Sequence, residues 1–78
     1  MKQEEQLKNI FKNFFNLRKQ IKTKDIKQDK IKKWDSLSHM NLIFTIEEEF
    51  KIKFSDKEIL ISKDFFKILK IVKKKRNV

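Results

Sequence analysis

Asp35 to Phe50 is the one long stretch of this chain without a lysine or arginine. The whole chain carries 21 basic and 11 acidic residues, a net charge of +10, yet this segment holds four acidic side chains and no cation. The chain also has no glycine and no proline, so the usual punctuation of turns is missing and hydrophobic periodicity must define its elements. The segment is predicted to be a helix. Asp35 is its N-cap, a carboxylate placed to accept from the free N–H groups of the first turn and to suit the positive end of the dipole. Ser36 then takes the first helical position. With successive residues turned by about 100°, Leu42, Ile43, Ile46 and Phe50 share the sector of a core-facing stripe. Leu37, Met40 and Phe44 fall on a second apolar face, with Glu47 and Glu48 beside it. Two outcomes are open: a helix buried on two sides, or one face for the core and another for a partner.

The flanking segments read as follows. Glu4 to about Leu17 is predicted to be helical, because Leu7, Ile10, Phe11 and Phe14 recur at i, i+3, i+4 and i+7. Glu4 and Glu5 at its start and Arg18 and Lys19 at its end suit the macrodipole. In residues 18–34, Ile21, Ile26 and Ile31 are five apart, which matches neither a helix nor a strand. A long connecting loop is predicted there, with the isoleucines tucked into the core, a helical turn near Asp25, and Trp34 packed on the first turn of the next helix as a staple. Phe54-Ser55-Asp56-Lys57-Glu58-Ile59 marks a further helix start: Ser55 and Glu58 form a capping box, and Phe54 and Ile59 a hydrophobic staple. That helix is short, because Ser62 is expected to cap another, from Lys63 to about Lys73, with Phe65, Ile68, Leu69 and Val72 buried. Lys73-Lys74-Lys75-Arg76 suits the last turn and is expected to fray. No segment alternates with period two. The expected fold is a small all-α bundle in one domain, residues 1–78, with three main helices, one short helix and a long first loop.

Composition excludes several function classes. The chain has no cysteine for a disulfide framework or a thiolate metal site, and its single histidine cannot form a histidine cluster. The opening Met1-Lys2-Gln3-Glu4-Glu5 lacks the apolar core of a signal peptide. No apolar run is long enough to span a membrane, and a cytoplasmic monomer is expected. The net charge leaves one alternative function, a small basic helical module binding nucleic acid. Against it, the lysines spread over both flanks, and the most distinctive helix is acidic and would repel phosphate.

Asp35-Ser36-Leu37, followed by a helix ending Ile46-Glu47-Glu48-Glu49-Phe50, resembles the acyl carrier protein family in a chain of matching length with the triplet near its centre. The similarity is sharp from Trp34 to about Ile61. Two features depart from the family: Lys33-Trp34 stands where carriers have glycine shortly before the triplet, and carriers are usually acidic overall. The resemblance implies a four-helix carrier architecture and a covalent 4′-phosphopantetheine on Ser36, within the motif Asp35, Ser36 and Leu37. It implies that a separate Mg-dependent phosphopantetheinyl transferase supplies the arm from coenzyme A, and that the arm holds an acyl or aminoacyl group as a thioester. The partner face then comprises Leu37, Met40, Phe44, Glu47 and Glu48, presented to acyl-loading and acyl-transferring enzymes of fatty-acid or dedicated secondary biosynthesis. No catalysis, metal site or specific nucleic acid is expected. A hydrolytic set built from Asp35, Ser36 and His39 is disfavoured, because the chain has no Gly-x-Ser-x-Gly elbow.

Overall fold

The computed structural model describes residues 2–76 as four helices: α1 Lys2–Phe15, α2 Ser36–Phe50, α3 Asp56–Ile61 and α4 Phe65–Arg76. A single 3-10 turn, Thr23–Asp25, sits in the long first loop. Among the described residues there is no strand beyond an isolated bridge between Lys27 and Asp64. The all-α bundle with one short helix is therefore what the chain forms.

α1 packs on both α2 and α4. Its contribution to the core is Leu7, Ile10, Phe11 and Phe15. Phe14, expected on the buried stripe, is only half-buried and meets Phe15 edge-on at 4.9 Å. The reason is long-range: Trp34 packs against Phe11 and Phe15, each at 5.4 Å, which turns the buried face of α1 one residue round. The helix also stops at Phe15, before the expected Leu17. Asn16 adopts φ 55°, and the Leu17 N–H donates back to the Lys12 carbonyl at 2.9 Å. This is a Schellman-type end, in which asparagine stands in for the missing glycine.

The first loop is held by its backbone. The Phe65 N–H donates to the Ile26 carbonyl at 2.8 Å, and the Gln28 N–H to the Lys63 carbonyl at 2.9 Å, so the loop is tied to the α3–α4 junction. Ile26 and Ile31 are buried and Ile21 half-buried, as their placement predicts. The 3-10 turn ends on Asp25. A loop this long stays ordered because its apolar side chains enter the core and its polar backbone finds partners.

α2 buries Leu42, Ile43, Ile46 and Phe50, the predicted stripe. Each such fully buried side chain contributes about 1.5–3 kcal/mol. Its far end closes on Lys51 in the left-handed region, φ 57° and ψ 50°, with the Ile52 N–H donating to the Glu47 carbonyl at 3.1 Å.

α3 begins with the capping box: Ser55 N–H donates to Glu58 Oε1 at 2.8 Å, and Glu58 N–H to Ser55 Oγ at 3.2 Å. Phe54 is buried and Ile59 half-buried at its start. One expectation for the last helix is corrected. Ser62 does not cap it. That side chain is fully buried, and its hydroxyl donates to the Glu58 carbonyl, closing α3. Asp64 takes the cap of α4, accepting from the Lys67 N–H at 2.8 Å. α4 also runs past Lys73 to Arg76, and the Lys75 ammonium lies 3.0 Å from Glu58 Oε1.

Candidate functional site

The site is built at the start of α2. Asp35 is extended, and its carboxylate accepts from the Ser38 N–H at 2.9 Å. That N–H holds the Asp35 carboxyl below its usual range. With the cap filled, Ser36 is the first helical residue. It is exposed, and among the described residues no hydrogen bond engages its hydroxyl.

The chain leading into Ser36 is fixed by Trp34, which is 2% exposed. Its indole stacks on His39 at 5.9 Å, one residue before the cap against the fourth residue of the helix. This is the predicted staple with a polar ring as its second half. The indole Nε1–H donates to His39 Nδ1 at 2.9 Å, and His39 Nε2 lies 2.7 Å from the Ile59 carbonyl. An indole N–H can only donate, so Nδ1 is the acceptor and Nε2 carries the proton that Ile59 accepts. Gln28 Nε2 donates to the Trp34 carbonyl at 3.1 Å. The segment needs no left-handed residue, since among the described residues only Asn16 and Lys51 have positive φ. Lys33-Trp34 therefore fits here without the glycine that the family places before its triplet.

Both ring nitrogens of His39 are engaged by Trp34 and Ile59 and neither by Ser36. No Ser–His nucleophile pair forms.

α2 is buried on one side only. Leu37 is 74%, Met40 37% and Phe44 54% exposed. Phe44, Glu47 and Glu48 share a groove of about 550 Å³ at the C-terminal end of α2, together with Lys51, Ile52 and Lys53. Leu37 and Met40 lie nearer Ser36, outside that groove. Glu48 is exposed, but Glu47 is half-buried, and its Oε2 accepts from the Phe54 N–H at 2.7 Å. Glu47 thus anchors the loop into α3, a role its place beside the second apolar face does not reveal. Three further exposed apolar residues, Leu60, Ile61 and Phe66, come from the end of α3 and the start of α4. The short spacing of two capped helices was the available signal for them. The link from Trp34 through His39 to Ile59 is not legible in the sequence, where only the N′ and N4 spacing of Trp34 and His39 points to a staple.

No family model and no curated protein matches the chain. Among solved structures, it is similar to the solution NMR structure of the holo acyl carrier protein from Geobacter metallireducens, with 36% identity and a TM-score of 0.81, over 96% of this chain and 86% of that one. The chain belongs to the acyl carrier protein family. The four-helix carrier fold follows from that membership, and so does a carrier role. Within the acyl carrier fold, Ser36 heads the second long helix, at the end of the long loop. Among the described residues, no helix is long and apolar enough to cross a membrane.

Proposed function

We propose that Ser36 carries a 4′-phosphopantetheine arm, added from coenzyme A by a separate Mg-dependent phosphopantetheinyl transferase. The chain, residues 1–78 as one monomeric cytoplasmic domain, then carries acyl or aminoacyl groups to partner enzymes of a fatty-acid or dedicated secondary pathway. The observation that carries this is an exposed, unengaged serine hydroxyl at the first position of a helix already capped by its neighbour, in a chain of the acyl carrier protein family. When bound, the arm supplies a terminal thiol on which cargo is held as a thioester.

The residues around Ser36 fit a phosphodiester. The first-turn N–H groups of a helix have no intrahelical acceptor, and the dipole there favours an anion. Asp35 occupies the Ser38 N–H and so orients the turn. The Trp34 and His39 pair fixes the approach of the chain and keeps Ser36 clear of the core. The chain's own part is presentation, not catalysis. Leu37, Met40 and Phe44 offer apolar contact to a partner enzyme, and Glu48 charge at its rim. Rim charges act mainly on encounter rate and register.

The test is incubation with coenzyme A, Mg²⁺ and a broad-specificity transferase, followed by intact-mass measurement. The protein should gain one phosphopantetheine mass, and Ser36→Ala should abolish the gain while its thermal melt stays near that of the parent. A gain that persists in Ser36→Ala overturns the assignment.

A further inference from the structure

The positive charge of this chain is sorted in space. The first loop and the end of α1 enclose an open groove of about 780 Å³. Its walls carry Arg18, Lys22, Lys24, Lys30, Lys32 and Lys33 against a single carboxylate, Asp25. Asp25 is paired with Lys30 at 3.3 Å, and among the described residues no carboxylate pairs with the other five cations. Apolar side chains line the groove as well: half-buried Leu17 and Ile21, with the buried core residues Phe15 and Ile31 behind them. A second groove, between α1 and α2, is lined by Gln6, Asn9, Ile10, Asn13, Phe14, Thr45 and Glu49, without one cation. Lysine is therefore not a uniform coating of this surface.

We propose that the basic groove is a docking surface for a partner protein that presents an acidic segment with apolar side chains. This goes beyond the arm on Ser36 and does not depend on it. The occupant follows from charge complementarity and from the apolar lining. Clustered cations lower the energy of an approaching carboxylate cluster and speed encounter. The apolar lining gives leucine-like side chains a place to bury. The groove also ends where α2 begins, since Lys32 and Lys33 immediately precede Trp34. Towards the other end of α2, about 17–20 Å along its axis from Ser36, stand Glu47, Glu48 and Glu49. That separation exceeds the screening length of about 8 Å at physiological salt, so the two ends act as distinct charges. Lys51 and Lys53 share that end with Glu47 and Glu48, so what favours a folded partner over a duplex or an anionic membrane is the apolar lining of the basic groove, which phosphates do not use. A folded partner can confine its acidic patch to the groove.

The experiment uses the full chain, unmodified, and follows its backbone amides by NMR during titration. The probe is a glutamate-rich amphipathic helical peptide with leucines along one face. Comparison titrations use its lysine-for-glutamate twin, duplex DNA, and phosphatidylglycerol vesicles. The expected result is that the acidic peptide perturbs the groove amides between residues 15 and 33, and that the double variant Lys32→Glu/Lys33→Glu weakens it by about tenfold at low salt. Both lysines are exposed, and a thermal melt near that of the parent checks that the variant folds. Perturbations confined to the lysines at the end of α4, or an affinity unmoved by the charge reversal, overturn the proposal. So does equal binding of the basic twin, or tighter binding of DNA or vesicles in the groove, which would assign the surface to a phosphate polyanion. Because no arm is needed for the titration, its outcome is separable from modification of Ser36.

Discussion

The indole Nε1–H of Trp34 donates to Nδ1 of His39 at 2.9 Å, and through that ring the start of α2 is joined to the Ile59 carbonyl of α3. One histidine thus satisfies a buried indole and the third helix at once. His39→Ala removes the acceptor of one group and the donor of the other, and the expected loss is about 1–3 kcal/mol. Trp34→Phe keeps an aromatic body but loses the donor, at about 0.5–1.5 kcal/mol for the hydrogen bond. Urea titrations of both variants and their double mutant check this, because residues sharing one network lose less together than their separate losses add to. Additive losses would show that the hydrogen bond does not couple them.

The two sides of α2 separate by mutation. Ile46 is fully buried and Phe44 is 54% exposed. Ile46→Ala should cost about 2–5 kcal/mol, whereas Phe44→Ala should stay within about 0.5 kcal/mol of the parent, as exposed substitutions do. In a transferase assay the order should reverse: Phe44→Ala slows modification at every salt concentration, and Glu48→Lys slows it at low salt with a gap that closes as salt rises. Thermal melts and modification rates on the same samples decide. A core-sized loss for Phe44→Ala would return that face to the fold.

Much of this arrangement is legible in the sequence because it is local. The stripe Leu42, Ile43, Ile46 and Phe50 follows from helical spacing, and the Ser55–Glu58 box from the chemistry of a first turn. The misses are tertiary. Phe15 displaces Phe14 from the core because Trp34, nineteen positions on, packs against it. Ser62 loses the cap to Asp64 because burial draws its hydroxyl onto the Glu58 carbonyl. Glu47 lies beside the exposed face yet is drawn to the Phe54 N–H across a turn whose shape depends on Lys51. At Ser36 itself, the filled cap and outward hydroxyl follow from neighbouring residues alone, whereas the anchoring of Trp34 by α1 does not.

Acid should destabilise the fold through two carboxylates. Asp35 is held below its usual pKa chiefly by the Ser38 N–H. Glu58 is held down chiefly by the Ser55 N–H and, despite the opposing effect of burial, also by Lys75. Both folded-state values lie below the unfolded ones, so each contribution is present above the unfolded pKa and lost as pH falls through the folded pKa. The ordinary values are 3.8 and 4.5. The melting temperature of the parent should therefore drop more steeply below those values than that of Asp35→Asn/Glu58→Gln. Matching acid limbs for the two proteins would contradict this.

Lys51 ends α2 at φ 57°, where a side chain with a Cβ is strained. Lys51→Gly should raise stability by about 0.5–1 kcal/mol, the relief of strain outweighing glycine's greater freedom when unfolded. Denaturant titration at constant slope checks it. A loss would mean that contacts of the lysine stem outweigh the backbone term.

α3 differs from its neighbours in what fastens it. None of its six residues is fully buried; half-buried Ile59 packs against the core, and polar links hold the helix at both ends: the box at Ser55, the bridge to Lys75, and the His39 bond to Ile59. Such a helix can detach without opening the core. Because detachment uncovers little apolar surface, its amide hydrogen exchange should respond weakly to added denaturant, while exchange in α4 rises towards the global unfolding limit. In energetic terms the bundle would then divide in two: a three-helix body that opens all at once, and a tethered segment, linked to α2 through His39, that opens alone.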